Sequence, residues 1–230
     1  YASMQGRSAA YAASFGDARF SPRQKPVLAQ KLQGFRAIGL RETYLENWVR
    51  THAGVPVQRV IDPTLLLTRK EYAAITAPRQ QEGDYLLLYA RRYNPAMERF
   101  AESLARQRGL SIVEISLRAE NAARHRVFYE AGVEEFLSLV RHAACVVTNS
   151  YHGMIFSVQF ERPFYLFSRE QCDNKIAELL SLLGLPDRLL VTGNETVPET
   201  VQYAAVHAAV ARAREASIGF LQHELNLLQN

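Results

Sequence analysis

The 230-residue chain is 48% hydrophobic and 22% charged, with a formal net charge of +4 and an isoelectric point near 9.1. No apolar run approaches the roughly 20 residues that span a bilayer. No run of five or more basic residues marks a nucleic-acid surface, although a small anionic substrate would suit the charge balance.

The two cysteines, Cys145 and Cys172, lack CxxC spacing, so neither a disulfide framework nor a zinc knuckle is expected. Cys145 in "AACVV" reads as a buried reduced thiol, which fits a cytoplasmic location. The opening "YASMQGRSAAYAASFG" lacks the basic start and apolar middle of a signal peptide. It lacks an initiating Met, and the chain is expected to be a fragment or a processed piece.

In chain order, "SAAYAASFG" (8–16) predicts a small-residue strand stopped by Gly16. Residues 21–35 predict a helix capped by Ser21, with Pro22 at its first position. "RAIGLRE" (36–42) predicts a strand, and 43–54 a helix capped by Thr43 and closed by Gly54. A strand over 57–67 is broken at Pro63, where Asp62 is a turn former. The polar stretch 76–84, with Pro78 and Gly83, reads as a linker.

Alternation then restarts. Strands are expected at 85–90, 110–116, 145–149 and 163–168, and helices at 95–109, 132–143, 152–160 and 174–184. One or two long helices follow from Val197 to Leu228. Continuous apolar strands such as "YLLLYA" imply a sheet covered on both faces. The fold class is therefore α/β, with two Rossmann-type parallel-sheet units and a C-terminal helical segment. The expected domains are 1–78, 84–192 and a helical 193–230 packing across both. No internal repeat or low-complexity segment is present.

The stretch "VVTNSYHGMIFSVQF" (146–160) is the most informative. Ligands of open α/β sheets bind at the carboxyl ends of strands. Here a strand ends at Thr148-Asn149-Ser150, and a helix begins at about His152. The first turn of that helix favours an anion. Ser150 would cap it, Gly153 would allow close approach, and His152 could donate a hydrogen bond or move a proton near neutral pH. A plain structural reading stays open: Ser150 as a cap, Gly153 as a packing residue, His152 as a surface histidine. His52, His125, His142, His207 and His223 read as structural, and no spacing suggests a metal site.

"EEFLSLVRHAACVVTNSYHGMIFSVQFERPFYLF" resembles the signature of the polysaccharide pyruvyl transferase family. "YAASFG", "IGLRE", "VIDPTLLLT", "NKIAELLSLLGL" and "AREASIGFLQHEL" follow in that family's order, so the resemblance covers nearly the whole chain. It implies a GT-B-like fold of which the N-terminal part is missing here, and transfer of pyruvate from phosphoenolpyruvate, as donor substrate and without a cofactor, to a sugar as a cyclic ketal. The implied partners are phosphoenolpyruvate and a glycan or lipid-linked saccharide acceptor, and a cytoplasmic site is compatible with a peripheral position at the inner membrane face.

His152 is the expected catalytic residue, with Asn149, Ser150, Tyr151 and Gly153 binding substrate around it. Many members carry an arginine two residues before the histidine, where this chain has Ser150. A hydroxyl does not replace a bidentate guanidinium. Arg41 is the first substitute considered, followed by Arg91 and Arg92. The competing readings are a nucleotide-sugar glycosyltransferase of similar fold and a non-catalytic relative acting in polysaccharide assembly.

Overall fold

The computed structural model describes residues 5–169, 172–198 and 200–229. Its strands form two parallel sheets, each alternating with helices. The fold is α/β with parallel sheets, as the alternation predicts.

The first sheet holds β1 (Ala9–Ala13), β2 (Ala37–Leu40) and β3 (Val57–Arg59), in that order. Helices α1 (Gln24–Leu32) and α2 (Glu46–Ala53) supply Leu32, Val49 and Ala53 to a core shared with Ile38, Leu40 and Val57. Gly39 is required in β2. A Cβ there would lie 3.0 Å from Val60 Cγ2 and 3.3 Å from both the Ala10 carbonyl oxygen and the Phe220 ring.

Three local expectations shift. Ser21 caps a turn, its Oγ accepting from Gln24 N–H at 3.3 Å, and regular helix begins only at Gln24. Helix α2 starts at Glu46 rather than at Thr43, because Leu45 lies in the left-handed region at φ 63°; the Thr43 N–H and hydroxyl both donate to Glu178 at 2.6 Å. Strand β3 ends at Arg59, and Pro63 opens a 3-10 turn (Pro63–Leu65) whose Thr64 N–H is capped by the Asp62 carboxylate. Helix α2 does close on Gly54, in the left-handed region at φ 64°. A short helix, α3 (Arg69–Ala74), has a capping box between Thr68 and Glu71. The T-x-x-E signal of such a box is present in "TRKE".

The second sheet holds β4 (Tyr85–Tyr89), β5 (Ser111–Ile115), β6 (Arg126–Phe128), β7 (Cys145–Thr148), β8 (Phe164–Phe167) and β9 (Leu189–Leu190). Their order is β6-β5-β4-β7-β8-β9, all parallel. Strands β4 and β7 are central and buried. Helix α4 (Pro95–Arg108) covers one face with Met97, Ala101, Leu104 and Ala105 against Leu86, Leu88, Cys145 and Val147. Helices α5 (Val133–His142) and α6 (Tyr151–Gln159) each bury an apolar face, and their rings Phe136 and Phe156 meet edge to face at 5.6 Å. Burial pushes the Cys145 thiol up to about 11, which makes it an inert core residue.

The chain forms two compact units: residues 1–66, 171–183 and 207–230 in one, and 67–170 and 184–206 in the other. The sequence partition is sequential, whereas these units are discontinuous. Helix α7 (Asp173–Leu182) belongs to the first unit, where its Glu178 pairs with Arg59 at 3.2 Å. Helix α8 (Tyr203–Gln229) is a single 27-residue helix. Its later part seats Phe220 on Ala37 and Val60, and its Ser217 Oγ accepts from Ile61 N–H at 3.0 Å. Among the described residues, no helix is long and apolar enough to cross a membrane.

Candidate active site

Strand order changes direction between β4 and β7. From β4 the chain moves outward through β5 to β6, and from β7 it moves the other way through β8 to β9. The carboxyl ends of such a pair diverge into a crevice, the usual ligand position in this class of sheet. The β4 loop carries Arg91, Arg92 and Tyr93, and the β7 turn carries Asn149 to Gly153. The sequence placed both groups after strands, and the pairing of β4 with β7 makes them neighbours.

The turn is built from short hydrogen bonds. Thr148 Oγ1 donates to the Tyr89 carbonyl at 2.7 Å and accepts from Ser150 N–H at 3.0 Å. Ser150 is the N-cap of α6, its Oγ accepting from Gly153 N–H at 3.2 Å. Gly153 is a packing necessity, since a Cβ there would lie 2.5 Å from Thr148 Oγ1. Tyr151 is buried, and its ring meets the edge of His152 at 5.6 Å. His152 is exposed on the first turn of α6, at the positive end of the helix dipole.

Asn149 is 1% exposed and joins the two loops. Its Oδ1 accepts from Arg91 N–H at 2.8 Å, and its Nδ2 donates to the Arg92 carbonyl at 2.7 Å. Both ends of its amide are therefore used in positioning the β4 loop. The guanidinium groups of Arg91 and Arg92 extend from this anchored backbone, and both residues are exposed.

Arg41 lies in the first unit. Its guanidinium pairs with Asp62 and lies 3.8 Å from Glu42, and its N–H donates to Ala13 O at 3.0 Å. Asp62 Oδ1 meanwhile accepts from Thr64 N–H at 3.0 Å, the turn-forming role its place before Pro63 suggested.

Sequence reading passed over the loop after β5. Arg118 lies over the Tyr93 ring, 3.7 Å from its centroid. Beneath it is a buried polar cluster in which Glu114 accepts from Asn121 at 2.9 Å and meets His125 Nδ1 at 2.8 Å. Burial opposes ionisation of Glu114, but hydrogen bonds from His125, Ser116 and Asn121 outweigh it and hold the carboxyl below its usual range. An arginine in the short loop that follows an expected strand was the available signal for Arg118. Among the described residues, no group of three or more His, Cys, Asp or Glu could hold a metal ion.

The sequence model of the polysaccharide pyruvyl transferase family matches residues 2–171. The chain belongs to the polysaccharide pyruvyl transferase family.

The matched span includes both candidate loops of this pyruvyl transferase family member. No curated protein matches the sequence significantly. Solved structures similar to it include UDP-N-acetylglucosamine 2-epimerase from Rickettsia bellii, at 13% identity and a TM-score of 0.49, covering 96% of this chain and 67% of that one. Another is Os79 from O. sativa in complex with UDP and deoxynivalenol-3-glucoside, at 10% identity and a TM-score of 0.41, covering 85% and 53%. A third is AviGT4, a glycosyltransferase involved in avilamycin A biosynthesis, at 13% identity and a TM-score of 0.41, covering 90% and 78%.

Proposed function

We propose that the chain transfers pyruvate from phosphoenolpyruvate to two hydroxyls of a bacterial saccharide, as a cyclic ketal. The observation that carries this reading is the placement of His152. It is an exposed imidazole on the first turn of α6, at the carboxyl end of a central strand, in a chain of this family. The β4 loop, which bears Arg91 and Arg92, is tied to the same turn by Asn149.

The chemistry needs one proton on the methylene carbon of the enol phosphate, which generates an oxocarbenium-like centre. The first sugar hydroxyl adds to that centre and the second displaces phosphate. The two hydroxyl protons balance the new methyl group and the departing phosphate. His152 contacts the phosphate and supplies the methylene proton, recovering one from the incoming hydroxyl. Arg91 and Arg92 hold the donor's carboxylate and phosphate. Arg41 is a weaker candidate because Asp62 and Glu42 already balance its charge.

The test is pyruvyl transfer by His152→Ala and His152→Gln. Stability should change by less than about 0.5 kcal/mol, since the side chain is exposed. Transfer should fall by about 10²-fold or more in His152→Ala. His152→Gln should keep more donor affinity than turnover. Wild-type rates from both variants would return His152 to a surface role.

One observation favours a second reading. Ser150 stands where many members have arginine, and its side chain is committed to capping α6. A non-catalytic assembly partner would bind saccharide with no turnover on any glycan. A nucleotide-sugar glycosyltransferase would instead bind a nucleotide sugar in preference to phosphoenolpyruvate.

A further inference from the structure

Tyr93 follows β4 in the loop that Asn149 anchors, and the residue is 58% exposed. One face is covered by Arg118, from the loop after the neighbouring strand β5. Arg118 is held in turn. Its N–H donates to Ser116 Oγ at 2.9 Å, its carbonyl accepts from Asn121 N–H at 3.1 Å, and its Nη2 pairs with Glu120 at 3.0 Å. Arg118 Nε is buried without a hydrogen-bond acceptor, as expected for a guanidinium pressed against an aromatic face. Asn121 is fixed by the buried Glu114 carboxylate. The Glu114–Asn121–His125 cluster, which the transfer chemistry does not use, therefore steadies this pair from below.

The result is a stiffened aromatic ring with one face in solvent, beside a carboxylate whose side chain is 67% exposed. We propose that Tyr93, Arg118 and Glu120 form the acceptor subsite and bind one neutral pyranose ring of the saccharide. This rests on reading the chain as a transferase to sugars. The C–H face of a pyranose stacks on the open face of Tyr93. Hydroxyls at the ring's edge donate to Glu120 and accept from Arg118. A nucleobase could also stack on tyrosine, so UDP serves as the competing probe.

The subsite is tested by saturation-transfer NMR on the purified protein, with the methyl glycosides of galactose, mannose and glucose as probes. Phosphoenolpyruvate affinity is measured separately by calorimetry. At least one glycoside should bind. Tyr93→Ala should weaken it by about 10-fold or more, while Tyr93→Trp, which keeps an aromatic face, should stay close to wild type. Glu120→Gln should weaken it severalfold, and donor affinity should be unchanged in all three variants.

Glycoside binding that needs Tyr93, in a protein that does not bind phosphoenolpyruvate, would support the subsite and reject the donor. Wild-type glycoside affinity in Tyr93→Ala would overturn the proposal. So would the absence of glycoside binding, or binding of UDP alone that is lost in Tyr93→Ala.

Discussion

At the residue scale, Ser150, Gly153 and Asn149 each have a structural duty in the turn that carries His152. The capping role of Ser150 was legible, because a serine before an apolar helix is a local signal. The reason for Gly153 was not, since the clash it avoids is with a side chain of the preceding strand. Gly153→Ala should cost about 1–3 kcal/mol in chemical denaturation, because the new methyl must displace Thr148. Unchanged stability would mean that the start of α6 can shift freely. Asn149→Ala leaves Arg91 N–H and the Arg92 carbonyl without their partner, at a cost of about 1–3 kcal/mol. Hydrogen exchange should then accelerate in the loop after β4, and donor affinity should fall with it. A loop as protected as wild type would show that Asn149 does not position it.

At the scale of elements, the starts and stops of helices show where local signals win. Gly54 ends α2 as its residue type dictates, but α2 starts after a left-handed Leu45, and Thr43, the expected cap, donates instead to Glu178, distant in sequence. Burial opposes the charge on Glu178, yet Thr43 and Arg59 hold its carboxyl below the ordinary range. A lowered folded-state value means the stabilisation is complete above the ordinary glutamate value of about 4.3 and is lost as pH falls below it. Acid titration of stability should therefore be steeper for wild type than for Glu178→Gln in that range. Superimposable acid limbs from the two proteins would show that Glu178 contributes no linkage.

At the scale of the whole molecule, the chain returns to its first unit twice, through α7 and through most of α8. The small residues of β1 and β2 leave space that Phe220 fills against Ala37 and Val60. Arg36 reinforces this contact through Glu224 at 3.3 Å. Ending the chain after Val206 should therefore expose one face of the first sheet. Amides of β2 should lose exchange protection, while those of β4 and β7, buried under α4, should keep theirs. Equal loss in both sheets would contradict this division of the core.

Period and punctuation along the sequence were enough for the α/β class, the parallel sheets, most helices and the helix start that presents His152. Those features depend on residues a few positions apart, which is the range of capping, turn chemistry and helical periodicity. The tertiary structure alone decided that β4 lies beside β7, and so that Asn149 ties the backbone of Arg91 and Arg92 to the turn that carries His152. It also placed Arg118 on Tyr93. Strand order is set by which sheet faces can be buried together, and near-identical apolar strands such as "YLLLY" and "CVVT" carry no local mark of their neighbours.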